Sequence, residues 1–475
     1  NCVMKSITIP ETVTVIEKGA FLNCTNLSTV AIPNGVTTIA ESAFENCSSL
    51  VSVTGYENLV SVGKRAFFGC KKLEKFIFPD TFTTFSEYSF SDCDSLKEID
   101  LTPIPVTYFN IPEYTFYGCK SLEKVLFSDY INSIGRYAFA DCESLKSIER
   151  PENESTVYLS DFAFHNCPQL KDVDFGIMYL HSYSIGYVST VDENGNTVYN
   201  VIDDMTLRAP VNCNVQTYAI NNGMIYIPTS GIEYDEFEDN ITITRWTNTN
   251  NDITIPSHIN GKPVTVIGKS AFKGINTLDE VYLPSTLKEI ESYAFMNSSV
   301  RYMPIPESVE KIGNKSFYNS RYGNSLTYEF VILGDGVLYD YNGTVEDVVI
   351  PETVKRIGND AFAYHSEINE ITLPESIAEI CDGAFYSCTS ISKIVLPDSV
   401  KNIAVGAFTD CSSLKTVVTG KGIETIDEYA FHSCENLTSF YGYEDTCTAE
   451  FAKENGYYFE IVESETVKNE EEIAE

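Results

Sequence analysis

The stretch LSTVAIPNGVTTIAESAFENCSSL, residues 27–50, sets a pattern that returns along the whole chain, for instance as LPDSVKNIAVGAFTDCSSL over residues 396–414. Phenylalanine after a small residue marks the period, at positions 21, 44, 67, 90, 116, 139 and 164 and again at 272, 295, 317, 362, 385, 408 and 431. Most steps are 23 residues, with longer steps of 26 and 25 in the first series and one of 45 in the second. Such a period predicts a stack of similar coils.

Each coil is predicted to contain one short strand and one helical turn. In the alternation of Val30 and Ile32 every second side chain points inward, and Pro33 ends the strand. The residues through Ala43 and Phe44 keep apolar side chains three or four apart, which is typical of a helical turn. One coil cannot bury its apolar face alone. Neighbouring coils therefore stack, and their strands form a parallel sheet with a spacing of about 4.8 Å.

The repeat of this chain resembles the BspA-type leucine-rich repeat of bacterial surface proteins, over about four fifths of the chain. The spacing that carries the resemblance is I/L-P-x-x-V-x-x-I-x-x-x-A-F-x-x-C-x-x-L. The resemblance implies an α/β leucine-rich-repeat solenoid with a parallel concave β-sheet and short helical turns on the convex side. It also implies an extracellular or bacterial cell-surface location, because related proteins are associated with adhesion to host matrix proteins or other cells.

The repeat signature is missing between Phe164 and Phe272, which predicts a domain boundary in this gap. Segments 213–226 and 447–459 both predict a short helix stopped by Asn-Gly and followed by a strand, as in a closing cap. Residues 231–243 predict an opening hairpin cap. We expect two capped blocks in tandem, 1–228 and 229–462, and an acidic tail or linker at 463–475. The first block is expected to lack its opening cap, because the sequence starts within a repeat.

Two departures from the repeat are expected inside the blocks. Residues 186–203 place Glu-Asn-Gly-Asn between Val-rich flanks, which predicts an inserted β-hairpin. The double step from Phe317 to Phe362 contains the stretch 331–343, which predicts a coil rebuilt around turns.

The formal charge of the chain is −36, from 32 basic and 68 acidic residues. This balance opposes binding to nucleic acid and to anionic lipid, and it favours cationic partners or divalent ions. No apolar run approaches the roughly 18 residues that a membrane-spanning helix needs. We therefore expect no direct membrane insertion by this chain.

Ten of the 14 cysteines occupy one repeat position, three residues after the repeat phenylalanine. Side chains in such a column run parallel to one another, whereas a disulfide needs Cβ atoms about 3.8 Å apart that point together. The column therefore predicts buried free thiols, at positions 24, 47, 70, 93, 119, 142, 167, 388, 411 and 434.

No motif predicts catalysis, a metal site or a cofactor. The cysteines lack paired C-x-x-C spacing, the five histidines are scattered, and no glycine-rich phosphate loop is present. Asp192, Asn194 and Asn196 faintly resemble a calcium loop, but the glycine at position six is missing and a hairpin turn is favoured. We predict that the protein is not an enzyme.

The residues beside the inward strand positions are the predicted binding surface, because repetition arranges them in columns on the concave sheet. The columns of the first block become mostly acidic in its second half, and those of the second block are more apolar. The candidate partner-binding residues are Lys75, Ile77, Glu98, Asp100, Lys124, Leu126, Glu149, Asp172, Asp174, Glu280, Tyr282, Lys393 and Tyr441.

Three functions remain open from the sequence. The first is an adhesion or interaction protein that binds a protein or a glycan through its concave face. The second is a passive spacer or stalk on the cell surface, and the third is a glycan-binding accessory module. Fold alone does not choose between them.

Overall fold

A computed structural model of the chain describes residues 4–150, 156–174, 176, 178–444 and 446–462. The tail predicted at 463–475 lies outside these residues. Backbone contacts divide the chain into two compact units, one of Asn1–Gly231 with His258–Lys262 and one of Ile232–Ser257 with Pro263–Glu475. The assignment of 1–228 and 229–462 as two capped blocks stays a proposal.

Most coils of the first unit contain two short strands, here called the first and the second strand. The first strands are Ser6–Thr8, Thr29–Ile32, Ser52–Gly55, Glu98–Asp100, Lys124–Leu126, Ser147–Glu149, Asp172–Asp174, Thr206–Ala209 and Ile225–Pro228. The second strands are Val15–Ile16, Thr38–Ile39, Ser61–Val62, Thr84–Phe85, Phe109–Ile111, Ile131–Ile134, Val157–Leu159 and Met178–Leu180.

The second unit repeats this arrangement. Its first strands are Asp252–Thr254, Glu280–Tyr282, Asp347–Val349, Glu370–Thr372, Lys393–Val395, Thr416–Val418, Ser439–Gly442 and Tyr458–Ile461. Its second strands are Glu289–Ile290, Lys311–Ile312, Arg356–Ile357, Glu379–Ile380, Asn402–Ile403 and Thr425–Ile426, together with Lys262–Ile267, whose first residue groups with the first unit. A further short strand, His258–Ile259, belongs to the segment that groups with the first unit, and Gly323–Ser325 is a 3₁₀ turn.

Equivalent residues of successive coils lie directly opposite each other in parallel strands, as Val30 and Val53 do. Within a first strand, burial alternates: Val30 and Ile32 are buried, and Thr29 and Ala31 are exposed. This alternation follows from the two-residue period of a strand, which sends successive side chains to opposite faces. The prediction of a parallel-strand repeat solenoid is confirmed.

The segment around Ala43 and Phe44 forms turns instead of the predicted helical turn. It follows the second strand Thr38–Ile39, and it contains Ser42 and Asn46 with φ values of 54° and 59°. Left-handed residues at this spacing interrupt a right-handed helix. The turns are tied between coils instead, since the Phe44 N–H donates to the Ala66 carbonyl oxygen at 2.7 Å.

A stack of phenylalanine rings runs through the core of each unit. The Phe44 and Phe67 ring centroids are 5.2 Å apart with an interplanar angle of 8°, and Phe385 and Phe408 are 5.0 Å apart at 9°. The cysteine column lies beside this stack, and its thiols are free and buried as predicted. From Cys47 onward each of these thiols donates to the carbonyl oxygen of the repeat phenylalanine one coil earlier, at 3.0–3.4 Å.

The two α-helices of the described residues, Asn214–Asn221 and Cys447–Glu454, stand where closing caps are predicted. The strands that follow them, Ile225–Pro228 and Tyr458–Ile461, pair in parallel with the preceding first strands. Each pairing places the strand that follows the helix beside the preceding coil, so that coil does not end in an unpaired strand.

Three of the antiparallel hairpins in the described chain lie at departures from the repeat that the sequence predicted. Tyr187–Val191 pairs with Thr197–Val201 at the predicted insertion, and Ile232–Glu236 pairs with Ile241–Trp246 at the predicted opening cap. The third is Phe330–Leu333 with Val337–Tyr341. The sequence predicted a coil rebuilt around turns at this third position. The structure has a hairpin whose second strand pairs in parallel with Arg356–Ile357, and it thus begins a new sheet of second strands.

Candidate binding surfaces

The outward side chains of the first strands form the surface that the sequence predicted for binding, here called the first-strand face. In the first unit Glu98, Asp100, Glu149, Asp172 and Asp174 are exposed. Lys124 and Leu126 are half-buried between their neighbours. The predicted outward direction of these residues is therefore correct.

Lys75 and Ile77 are also outward, but the predicted strand around them is absent from the assigned strands of the described chain. The Ile77 N–H donates to the hydroxyl of Tyr56 at 3.1 Å instead of to a neighbouring strand. The Tyr56 ring stacks on Phe76 with centroids 4.8 Å apart. The bulky ring displaces the regular ladder and leaves Ile77 with 58% of its surface exposed.

Two acidic side chains of the first unit's face form ion pairs with basic residues. The Arg208 guanidinium makes two hydrogen bonds to the Asp172 carboxylate, at 2.8 and 3.0 Å, and Lys124 Nζ lies 2.7 Å from a Glu149 carboxylate oxygen. The Asp100 carboxylate accepts hydrogen bonds from the Thr102 N–H and hydroxyl. Two of the five exposed carboxylates, those of Asp172 and Glu149, thus have a basic partner, and the face keeps an excess of acidic side chains.

The second unit's face carries exposed tyrosines close to an ion-pair group. The Tyr282 hydroxyl donates to a half-buried Glu280 at 2.8 Å, and the Tyr282 ring meets the Tyr302 ring edge to face, with centroids 6.0 Å apart. Arg301 forms hydrogen bonds to Asp279 at 2.9 and 3.2 Å. These bonds lower the pKa of the Asp279 carboxyl, and the same arginine also reaches Glu280 at 3.5 Å.

A second apolar group lies toward the helix Cys447–Glu454 of this unit. Val395, Val418 and Tyr441 lie directly opposite one another on three successive first strands, next to the exposed Lys393. Val418 is buried although its position faces outward, while Val395 remains exposed. Val349 is also outward and has 69% of its surface exposed. The face therefore presents apolar side chains at several coils.

Tyrosines also line the second-strand face of the first unit, which is the outward side of its second strands. Phe109–Ile111, Ile131–Ile134, Val157–Leu159 and Met178–Leu180 form one parallel sheet. Asn110, Ser133, Tyr158 and Tyr179 lie directly opposite one another across it. The Tyr158 and Tyr179 rings stack, with centroids 5.3 Å apart and an interplanar angle of 8°.

Beside this sheet is a cavity of about 420 Å³. Tyrosine rings and polar groups contributed by three successive coils line it, principally Thr107, Tyr108, Asp129, Tyr130, Asn132 and Tyr158. The cavity mixes apolar ring surface with hydroxyl, amide and carboxylate groups, a combination that is common in small-molecule sites.

The family model described as BspA type leucine rich repeat region matches residues 1–110, 109–243, 245–329 and 331–450. The chain belongs to the BspA-type leucine-rich-repeat family. No curated protein matches it.

Solved structures of bacterial leucine-rich-repeat proteins resemble this BspA-type chain. A protein from Bacteroides ovatus is 22% identical over 96% of this chain and 92% of its own, with a TM-score of 0.33. A leucine-rich cell surface protein from Faecalibacterium prausnitzii is 17% identical over 94% and 90%, with a TM-score of 0.27. The T. pallidum protein TpLRR is 24% identical over 49% and 97%, with a TM-score of 0.25.

The described residues of this BspA-type chain contain no group of three or more His, Cys, Asp or Glu placed to hold a metal ion. At the faint calcium-loop resemblance, the Asp192 carboxylate accepts hydrogen bonds from the N–H groups of Asn194 and Asn196, both at 2.8 Å. The side chain thereby closes the hairpin turn.

Burial lowers the pKa of His165, which favours its neutral form. No helix in the described part is long and apolar enough to cross a membrane.

Sequence reasoning missed three parts of these surfaces. Arg208 lies on a first strand inside the gap that lacks the repeat signature. The repeat pattern therefore could not predict its ion pair with Asp172. Tyr302 belongs to a coil whose first strand is reduced to a single bridge with Glu280. The cavity lies where the phenylalanine steps are 26 and 25, and these longer steps were the signal that could have located it.

Proposed function

We propose that this BspA-type chain is a non-enzymatic binding protein, displayed on the bacterial surface or secreted, that captures a protein partner through the first-strand face of its second unit. The observation that carries the proposal is the exposed pair Tyr282 and Tyr302, which have 42% and 49% of their surfaces accessible on neighbouring coils. The fold supports such a role because solenoids present extended surfaces of repeated strand residues.

The chemistry of the pair fits a protein interface. Tyrosine offers a large, rigid contact area and a polar tip, and it loses little conformational entropy on binding. Aromatic residues are enriched in protein interfaces, and a few of them commonly provide most of the binding energy. The Arg301, Asp279 and Glu280 charges surround the rings and would form a polar rim.

The net charge of −36 favours a partner with a basic surface. Long-range attraction would raise the association rate with such a partner, and salt would weaken this effect. Adhesion to host matrix proteins, which the family resemblance implies, is one setting in which this binding would operate.

The test is binding of the purified chain to a panel of purified matrix proteins, measured by biolayer interferometry at low and physiological salt. Replacing Tyr282 and Tyr302 together by Ser should weaken binding at least about tenfold, because removal of two aromatic anchors removes more than 1.4 kcal/mol. The matched control is Tyr364→Ser, which removes an exposed tyrosine of the same unit from a turn instead of a first strand.

Equal binding by the wild type and the Tyr282, Tyr302 double variant would refute this assignment of the face. Absence of binding to every panel protein would favour the spacer function instead. Thermal melting of all variants must accompany the measurement, so that a lost partner is not confused with a lost fold.

A further inference from the structure

The cavity on the second-strand face of the first unit lies where successive coils differ in length. In the sequence, 7 positions separate Phe127 from Ile134 in the middle coil, whereas 10 separate Leu101 from Ile111 and 9 separate Arg150 from Leu159. The described lining of the cavity comes from all three of these coils. Tyr108 comes from one long coil, Tyr158 from the other and Tyr130 from the short coil.

The rings that line the cavity are accessible to a ligand. Tyr108 has 80% of its surface exposed, Tyr130 has 45% and Tyr158 has 46%. Tyr179 covers the Tyr158 ring on one side, and the small Ser133 lies directly opposite Tyr158 on the other side. Because Ser133 has no ring of its own, the Tyr158 face toward the cavity is left open.

Polar groups surround these rings. The Asn132 amide nitrogen and the Ser133 hydroxyl both donate to Asn110 Oδ1, at 3.0 and 2.7 Å, so this amide row is held in place. Asp129 and Thr107 add further hydrogen-bonding atoms to the lining. Fixed polar atoms beside an open aromatic face match a ligand that has an apolar face and a rim of hydroxyl groups.

The local charge disfavours an anionic ligand. Burial lowers the pKa of the Arg150 guanidinium in the next coil, and the Asp129 carboxylate opposes this shift. Asp129 is the charged residue among the described lining residues of the cavity, and its carboxylate repels anions. The whole chain carries −36, which disfavours anionic ligands at any part of its surface.

We propose that this cavity is a carbohydrate-binding site that takes a neutral pyranose, as a single sugar or as the end of an oligosaccharide. The apolar C–H face of the sugar ring would pack on Tyr158, and its hydroxyl groups would bond to Asp129, Asn132 and Thr107. A volume of about 420 Å³ lies within the range of small-molecule pockets, roughly 300–1,000 Å³. The site shares no residue with the proposed protein-binding face, so either proposal can fail alone.

The test is isothermal titration of the whole chain with the neutral disaccharides lactose, cellobiose, maltose and diacetylchitobiose, each up to about 10 mM. Sialyllactose serves as the anionic counterpart of lactose. We expect at least one neutral disaccharide to bind, and sialyllactose to bind more weakly than lactose.

The decisive variant is Ser133→Tyr, which adds a ring opposite Tyr158 and closes its open face. Sugar binding should fall at least about tenfold, as expected when a ring contact is blocked. Ser61→Tyr is the matched control, because Ser61 occupies the equivalent position of a second strand away from the cavity. It should leave binding unchanged.

A second variant, Tyr158→Ala, decides the matter if Ser133→Tyr does not fold, and it should cause the same loss. The proposal is overturned if no neutral disaccharide binds, if sialyllactose binds more tightly than lactose, or if a folded variant of either kind keeps the wild-type affinity.

Discussion

The thiol of Cys70 donates a hydrogen bond to the carbonyl oxygen of Phe44, one coil earlier, with the sulfur and oxygen 3.1 Å apart. The same carbonyl also accepts the N–H of Cys47 in its own coil, at 3.1 Å. One small side chain therefore fills the core beside the phenylalanine stack and links two coils. This double role explains why cysteine recurs at this position although its thiols are free.

Cys70→Ala should destabilise the first unit by about 1–2 kcal/mol, because it removes a buried sulfur and one weak hydrogen bond. The measurement is the shift in thermal midpoint by differential scanning calorimetry. Cys381→Ala is the control, since Cys381 lies outside the column and is only partly buried. An equal shift in both variants would show that the column position has no special role.

Alkaline pH should destabilise the chain through its buried thiols. Burial raises the pKa of the Cys388 thiol to about 12, whereas the unfolded chain loses this proton near pH 8.5. The folded state thus binds more protons, and its stability is fully present below about pH 8.5 and falls as the pH rises toward 12. The measurement is the thermal midpoint from about pH 8 to 10.5 in reductant. Cys388→Ser should make the decrease smaller, and an unchanged decrease would contradict this explanation.

The repeat positions could be predicted from the sequence because each places a large side chain in a shared core. Phe44, Cys47 and Leu50 are all fully buried, and their period alone defines the coils. The second strands were not predicted, since a two-residue strand such as Thr38–Ile39 has too few residues for alternation to show. Turns with left-handed residues and a helical turn share the same apolar spacing, so the sequence could not separate them.

The candidate surfaces were predicted only in part, for a related reason. Alternation around Val173 indicates that Asp172 faces outward, but it cannot show which residue pairs with it. Its partner Arg208 is 36 positions away, across an inserted hairpin that breaks the period. The tyrosine cavity lies beside coils of unequal length, and the steps of 26 and 25 mark those coils in the sequence without showing which side chains meet there.

Phe67→Ala should cost about 3–5 kcal/mol, as is usual for a fully buried phenylalanine. Its ring stacks between Phe44 and Phe90 with centroid distances of 5.2 and 5.1 Å, so the cavity cannot close without moving two coils. Phe21→Ala is the control, because this ring stacks on Phe44 but is half-buried. We expect a smaller midpoint shift for Phe21→Ala in urea unfolding, and the reverse order would refute the importance of the central stack.

Loss of the ion pair between Lys124 and Glu149 should change the free energy of unfolding only slightly. Both side chains are over one-third exposed, at 37% and 54%, and water and salt screen the pair. Exposed pairs of this kind contribute about 0–1 kcal/mol. Glu149→Lys should therefore lower the unfolding free energy by at most about 1 kcal/mol, and adding Lys124→Glu should restore it.

The same two variants test which face of the protein binds the partner. If the partner docks on Tyr282 and Tyr302 of the second unit, matrix-protein affinity should be nearly the same in the wild type, in Glu149→Lys and in the swapped double variant. The single variant changes the net charge from −36 to −34, because it replaces one negative by one positive charge, and such a change alters association rates only slightly at physiological salt. A large loss in Glu149→Lys that the swap does not repair would instead place the partner on the first unit's charged face. The binding measurement at two salt concentrations distinguishes these results.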